Sequence, residues 1–389
     1  MRLDKSFYFA ARLSWRQLTF ERAKLIAAIL GVLFACVLVF MQLGFRDSLY
    51  YSTGILPHKM DGDLFLVHRQ TEAIWRTQIF SRSELMRVWG NPNVAEVYPL
   101  YVAQAPFKNP EKRTKRTLMV FGYAPEAKVF NHPDIVAYQD ALTLPDTAIF
   151  DMMSRPEFGP LTTMLQKGRV FTELNDRRIE VIGTFKMGIS FAADGNMIIS
   201  DQNFQRIFPL RNVEQIDIGV IRLKIGSDVK KVQEELRGLL SEDVNLFTHK
   251  EFVAFEMGYW ANSAPIGFIF GFGMIMGLVV GMVIVYQILF TDITNHLHEY
   301  ATLKALGYSH RYLILVVFAS SLILAVIGFI PGAALSFGLY KMAESVTYIP
   351  MPMPFTKVLY VFSLILGMCT ISGSLAMRKM RSANPANMF

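Results

Sequence analysis

The stretch Leu25-Ile-Ala-Ala-Ile-Leu-Gly-Val-Leu-Phe-Ala-Cys-Val-Leu-Val-Phe-Met-Gln-Leu43 carries no charged side chain. At 1.5 Å per residue a helix over it is about 28 Å long, close to the hydrocarbon thickness of a bilayer. Buried helices of soluble domains rarely stay uncharged for so long, so the stretch reads as a transmembrane helix. Its basic leader of 24 residues is too long for a signal peptide, and Gln42-Leu43-Gly44-Phe45-Arg46 offers no small-x-small cleavage site. It is expected to stay as an anchor. Three more apolar runs of spanning length follow at 265–290, 312–340 and 358–377.

Composition agrees. The chain has 389 residues, 52% hydrophobic and 18% charged, with a mean hydropathy of +0.31. Soluble domains carry about 25% charge, and the 31 Phe and 15 Tyr exclude a disordered chain. The expected architecture is an α-helical membrane protein with four transmembrane helices, one plus three. A large α+β domain is inserted between the first and second. The segments are a leader (1–24), the first span (25–43), the inserted domain (44–264), the second span (265–290), a connector (291–311), the third span (312–340), a short loop (341–357), the fourth span (358–377) and a tail (378–389).

Basic residues set the orientation. The leader, the connector and the tail together hold 11 positive and 4 negative side chains, whereas residues 44–262 hold 26 and 27. The net charge of +7 is therefore topological. It puts both termini in the cytoplasm and the large domain outside, and it gives no reason to invoke nucleic acid. Both cysteines, Cys36 and Cys369, lie in spans, so the inserted domain has no disulfide framework. That is compatible with the periplasm.

The leader reads as an amphipathic interfacial helix. Leu3, Phe7, Ala10, Ala11, Ser14 and Leu18 share one arc, and Arg2, Lys5, Arg12 and Arg16 share the opposite one. In the inserted domain, alternation predicts strands at 63–68, 117–123, 179–185, 197–200 and 215–224. Apolar spacing predicts a helix over 227–240, followed by a strand at 244–248. After Thr248 a helical stalk leads toward the second span. Pro265 and Pro331 are expected to kink their helices.

In the second span Gly267, Gly271, Gly273, Gly277 and Gly281 repeat at spacing four. This face packs closely either within the subunit or against a second copy. The cluster Lys108, Lys112, Arg113, Lys115 and Arg116 reads either as a solvated loop or as a contact for an adaptor or anionic lipid. No phosphate-binding loop and no H-E-x-x-H, C-x-x-C or G-x-S-x-G motif occurs. His296 and His298 lack a third ligand nearby, so no metal site is expected. The spans hold almost no ionisable residue, against the habit of ion-coupled transporters. The chain is therefore not expected to be an enzyme, and no cofactor is expected on it. Any energy source is expected on another polypeptide. The connector residues Glu299 to Gly307 are good helix formers ending in a glycine, which makes a natural handle for a partner.

That segment, Glu299-Tyr-Ala-Thr-Leu-Lys-Ala-Leu-Gly307, resembles the E-x-A-x-L-[KR]-A-[LIM]-G element of FtsX/MacB-type ABC transporter permeases. The ending Arg378-Lys-Met-Arg-Ser-Ala-Asn-Pro-Ala-Asn-Met-Phe389 resembles their C-terminal signature, and 265–389 corresponds to their permease domain. Met41-Gln-Leu-Gly-Phe-Arg-Asp-Ser-Leu49, Gly62-Asp-Leu-Phe-Leu-Val67, Ser154-Arg-Pro-Glu-Phe-Gly159, Ser190-Phe-Ala-Ala-Asp-Gly-Asn196, Pro265-Ile-Gly-Phe-Ile-Phe-Gly271 and Val285-Tyr-Gln-Ile-Leu289 look like the DevC branch, permeases of heterocyst-type glycolipid exporters.

The resemblance implies a homodimer in the bacterial inner (plasma) membrane. It implies a separate ABC ATPase subunit that binds ATP and Mg and grips Glu299, Tyr300, Ala301, Thr302, Leu303, Lys304, Ala305, Leu306 and Gly307. It further implies a periplasmic adaptor (membrane fusion) protein, a TolC-type outer-membrane channel, and an amphiphilic cargo such as a glycolipid taken from membrane lipid or the periplasm. Two rival expectations share the topology: an FtsX-like signalling subunit acting on a periplasmic partner, and a lipoprotein-releasing permease.

Overall fold

The computed structural model describes residues 2–130, 132–263, 266–296, 298–299, 302, 306 and 310–382. The chain divides into two compact units, one of Met1–Asp47, Ile266–Val346 and Met351–Phe389, the other of Ser48–Pro265 and Thr347–Pro350.

The first unit is helical: α1 (Arg2–Phe20), the start of α2 (Arg22–Lys59), α10 (Ile266–Asn295), α11 (His310–Thr347) and α12 (Phe355–Ser382). Four of these, α2, α10, α11 and α12, are long and apolar enough to cross a membrane. The protein is multi-pass by that measure. Its core is apolar. Val32, Ala35, Cys36, Val39 and Phe40 of α2 meet Val285 and Leu289 of α10, Leu324 and Ala325 of α11, and Val361, Ile365 and Met368 of α12.

The helices outrun the apolar stretches read from the sequence. α2 continues past Leu43 to Lys59, with Arg46 paired to Asp47 at 2.9 Å inside the helix. Charge ends an apolar window without ending a helix. α11 runs from His310 to Thr347 with Pro331 inside it. The residues at the expected bend of Pro265 lie outside those described. Just before them, α9 (His249–Gly258) passes into a π-helical turn over Tyr259–Ser263.

The leader is helical as expected, but its apolar arc has a different partner. Ala10, Ser14 and Leu18 are buried against protein, with Ser14 Oγ donating to the Val316 carbonyl at 2.7 Å. The exposed side carries Tyr8, Phe9, Trp15 and Phe20 beside Arg12 and Arg16. The arc read as lipid-facing is thus a packing face. Ser14 marks it, because its hydroxyl finds a carbonyl there.

The second unit is built on strands β1 (Leu64–His68), β2 (Phe80–Ser81), β3 (Val94–Lys108), β4 (Lys115–Tyr123), β5 (Thr147–Asp151), β6 (Val170–Leu174), β7 (Arg177–Phe185), β8 (Asn196–Ser200), β9 (Gln215–Ile216), β10 (Ile218–Leu223) and β11 (Val244–Thr248). Helices α3 (Arg82–Trp89), α4 (Pro133–Val136), α5 (Gln139–Leu142), α6 (Leu161–Lys167), α7 (Asp201–Ile207) and α8 (Val229–Arg237) lie between them.

Nine strands form one sheet in the order β11-β1-β10-β3-β4-β8-β5-β7-β6. β3 joins two halves. Its first part pairs with β10 up to Leu100, and its second part pairs with β4 from Tyr101 onward. β6 also returns to β3 at Phe107 and Lys108, which closes β3-β4-β8-β5-β7-β6 into a ring. The β10–α8–β11 unit is the strand–helix–strand read from 215–248, with β1 inserted between its strands. Asp228 caps α8 by accepting from Lys230 and Lys231 N–H.

The single strand expected at 215–224 is interrupted at Asp217. Its buried carboxylate accepts from Val102 N–H at 2.9 Å and Thr77 Oγ at 2.8 Å, and it pairs with Arg211 at 2.6 Å. A carboxylate held this way breaks the strand into β9 and β10. Desolvation still pushes its proton affinity above the ordinary carboxylate range.

Candidate functional site

Among the described residues no group of three or more His, Cys, Asp or Glu side chains is placed to hold a metal. His296 is buried at the end of α10, where Nδ1 lies 3.0 Å from the Asp292 carbonyl oxygen and 3.5 Å from Asp292 Oδ1. It serves the helix end.

The connector read as a handle begins there. Glu299 Oε2 accepts from Gln17 Nε2 at 3.2 Å, so the leader helix is tied to the first residue of the segment. Thr302 Oγ1 donates to the His298 carbonyl at 3.0 Å, and Leu306 N–H donates to the Thr302 carbonyl at 3.0 Å. These i to i+4 bonds are the spacing of a helix turn. Thr302 and Leu306 are exposed, Leu306 at 71%. Tyr300, Ala301, Leu303, Lys304, Ala305 and Gly307 lie outside the described residues, as does the tail from residue 383 onward. Gln17 went unnoticed in the sequence. It lies on the arc of Ser14 and Leu18, and an amide on a packing face signals a polar partner.

The glycines of α10 divide into two sets. Added β-carbons at Gly273, Gly277 and Gly281 would meet Gln42, Leu38 and Ala35 of α2. Three of the five thus let α10 approach its own chain. A β-carbon at Gly271 would meet nothing within 4 Å, and Phe268, Phe272, Ile275, Met276, Val279 and Val283 around it are exposed. Gly267 lies in the first turn of α10.

The basic cluster of the α/β unit sits on the β3–β4 hairpin, and most of it is paired. Lys108 reaches Glu173 at 2.7 Å, Lys115 pairs with Asp176, and Arg116 bridges Glu157 at 3.2 Å and Asp194 at 2.6 Å. The hydrogen bond between Lys115 and Asp176 lowers the proton affinity of the carboxylate and raises that of the amine. The tip is an Asx turn, with Asn109 Oδ1 accepting from Glu111 and Lys112 N–H, and Arg113 takes a φ of +62°. Lys112 and Arg113 project from that tip, exposed.

A buried acid lies near the start of the π-helical turn. Glu256 accepts from Ile74 N–H at 2.7 Å and from Trp260 Nε1 at 3.4 Å. Trp75, Tyr259, Trp260 and Phe191 surround the turn, with ring centroids 5.2 to 6.3 Å apart. Desolvation pushes the Glu256 carboxyl up to about 7.

Residues 271–385 match the FtsX-like permease C-terminal family. No curated protein matches the chain. Among solved structures, the chain is similar to the periplasmic region of MacB from Actinobacillus actinomycetemcomitans, at 11% identity and a TM-score of 0.34, over 50% of this chain and 92% of that one. It is also similar to the extracellular domain of the noncanonic ABC-type transporter YknZ from Gram-positive bacteria, at 14% identity and a TM-score of 0.32, over 48% and 99%. A domain of a putative permease protein from Porphyromonas gingivalis gives 14% identity and a TM-score of 0.30, over 49% and 88%. The family match concerns residues 271–385, which hold most of α10, the connector, α11 and α12.

Proposed function

We propose that this chain is the membrane subunit of an ATP-driven ABC exporter. The observation that carries the reading is the FtsX-like match, which takes in the whole connector between two membrane-crossing helices. A partner ATPase, which binds ATP and Mg, grips the segment from Glu299 to Gly307. Its closure is passed through the helices to the α/β unit, which faces the periplasm while both termini stay in the cytoplasm. Two copies of the chain work together. The α/β unit hands an amphiphilic cargo, of the glycolipid kind that the DevC resemblance implies, to a periplasmic adaptor and a TolC-type duct. The dry helical core suits a lever better than a pore, since it offers a polar cargo no hydrated path.

The test is coupling. Glu299→Arg removes the acceptor of Gln17 and reverses the charge at the head of the connector. Gly307→Trp crowds its far end. Both variants are expected to insert and fold while substrate-stimulated ATP hydrolysis by the assembled complex is lost. Wild-type coupling in both would overturn the assignment of the handle. Isolation of a complex lacking any ATPase would overturn the exporter reading itself. Finding a periplasmic hydrolase or a soluble lipoprotein carrier instead of an adaptor would favour the signalling or lipoprotein-releasing reading.

A further inference from the structure

Strand β5 ends at Asp151, whose carboxylate is fully buried. It accepts from the N–H groups of Met153 (3.0 Å), Met187 (3.0 Å) and Gly188 (2.8 Å) and from Asn196 Nδ2 (2.9 Å). The loop that follows is therefore firmly pinned, yet it presents two consecutive methionines to solvent, Met152 at 41% and Met153 at 49% exposed. Facing them is Tyr348, one residue beyond α11, half exposed and at a φ of +60° that bulky side chains rarely adopt. Between these walls lies a cavity of about 320 Å³, lined also by Phe150 and Leu161. That volume falls at the small end of ligand pockets.

The lining selects the occupant. Thioether side chains adapt to irregular apolar shapes. A peptide strand finds no free ladder donors on this loop, because Met152 N–H bonds to the Phe185 carbonyl, Met153 N–H to Asp151 Oδ1 and Ser154 N–H to the Asp151 carbonyl. Arg155, the charged residue of the lining, pairs with Asp194 at 2.6 Å, a carboxylate it shares with Arg116. A hydrocarbon chain fits the thioether wall, needs no ladder donor and leaves the Arg155–Asp194 pair in place. Tyr348 follows Tyr340, where the apolar stretch read from the sequence ends, by eight residues.

We infer that the groove between the Met152–Met153 loop and Tyr348 binds one hydrocarbon chain of an amphiphile. This deepens the transport reading above and rests on it for its purpose, although binding is measurable without it. The full chain in phosphatidylcholine nanodiscs is photolabelled with a diazirine-bearing hexadecanol, and the adducts are mapped by mass spectrometry. Adducts are expected on the peptides holding residues 152–163 and 348, beside those on lipid-facing helices. Unlabelled hexadecanol is expected to compete them away. Met152→Gln with Met153→Gln should cut the loop adducts about tenfold. Tyr348→Gly, which suits the left-handed backbone, should do the same without straining the fold. Adducts confined to the helices, or unchanged in both variants, would overturn the site. Loop adducts in a complex that does not transport amphiphiles would overturn the transport reading and leave the site standing.

Discussion

Lys357 shows how much one side chain can hold in this protein. Its side chain is 9% exposed, and Nζ reaches Asp47 Oδ2 at 3.0 Å and the Pro352 carbonyl at 3.0 Å while standing 5.7 Å from the Tyr340 ring centroid. One ammonium thus ties α2, α11 and the loop leading into α12. Lys357→Met leaves the Asp47 carboxylate with only Arg46 to balance it. Breaking a fully buried pair costs about 3–5 kcal/mol; Asp47 is a third exposed, so about 1–2 kcal/mol is expected. Thermal unfolding in detergent should show the loss, and Asp47→Asn should recover part of it in the double variant. Glu256 makes a prediction of opposite character. Its carboxyl is raised to about 7 in the fold against an ordinary value near 4.5, so between those values the native state holds a proton the unfolded chain has released. The α/β unit should therefore lose stability as pH rises from about 4.5 to about 7, by roughly 3 kcal/mol from this group. Hydrogen exchange of the Ile74 amide at pH 5 and 7.5 reads it. In Glu256→Gln the pH-dependent difference should shrink by that amount, and an unchanged difference would clear Glu256 of the effect.

At the scale of elements, α10 offers a built-in contrast. Gly281 abuts Ala35 and Met368, whereas Gly271 abuts nothing. Gly281→Leu should overpack the helical core and cost about 1–3 kcal/mol. Gly271→Leu should leave the fold intact. If two copies meet on that exposed face, it should instead weaken the dimer, as read by cross-linking or native mass spectrometry. The apolar helices and the β10–α8–β11 unit were legible because periodicity and length are local signals. β3 was not, since Pro99 and Pro106 sit inside it and read as breakers, although neighbouring strands accommodate both. β5 and β6 are five residues each, too short to declare a period against their flanks. The split at Asp217 depends on Arg211, Thr77 and Val102, and no local pattern shows that convergence. The same limit hid the candidate groove, because Met152 and Tyr348 are distant in sequence and meet only in the folded unit.

For the whole molecule, the handle role proposed for the connector comes from the sequence, where helix formers ending in glycine lie between two spans. Its link to the leader through Gln17 and Glu299 was not legible there, since the leader's arc looked made for lipid. The proposed mechanism needs the connector and the α/β unit on opposite sides of the membrane, an arrangement argued from the distribution of basic residues. Cysteine labelling tests this directly, because Cys36 and Cys369 are fully buried and leave a quiet background. Leu210 is fully exposed in the α/β unit and Leu306 is exposed in the connector. With a membrane-impermeant maleimide on spheroplasts, Leu210→Cys should react at once. Leu306→Cys should react only after permeabilisation, and more slowly when the partner ATPase is bound. Immediate labelling at Leu306 together with protection at Leu210 would contradict the account.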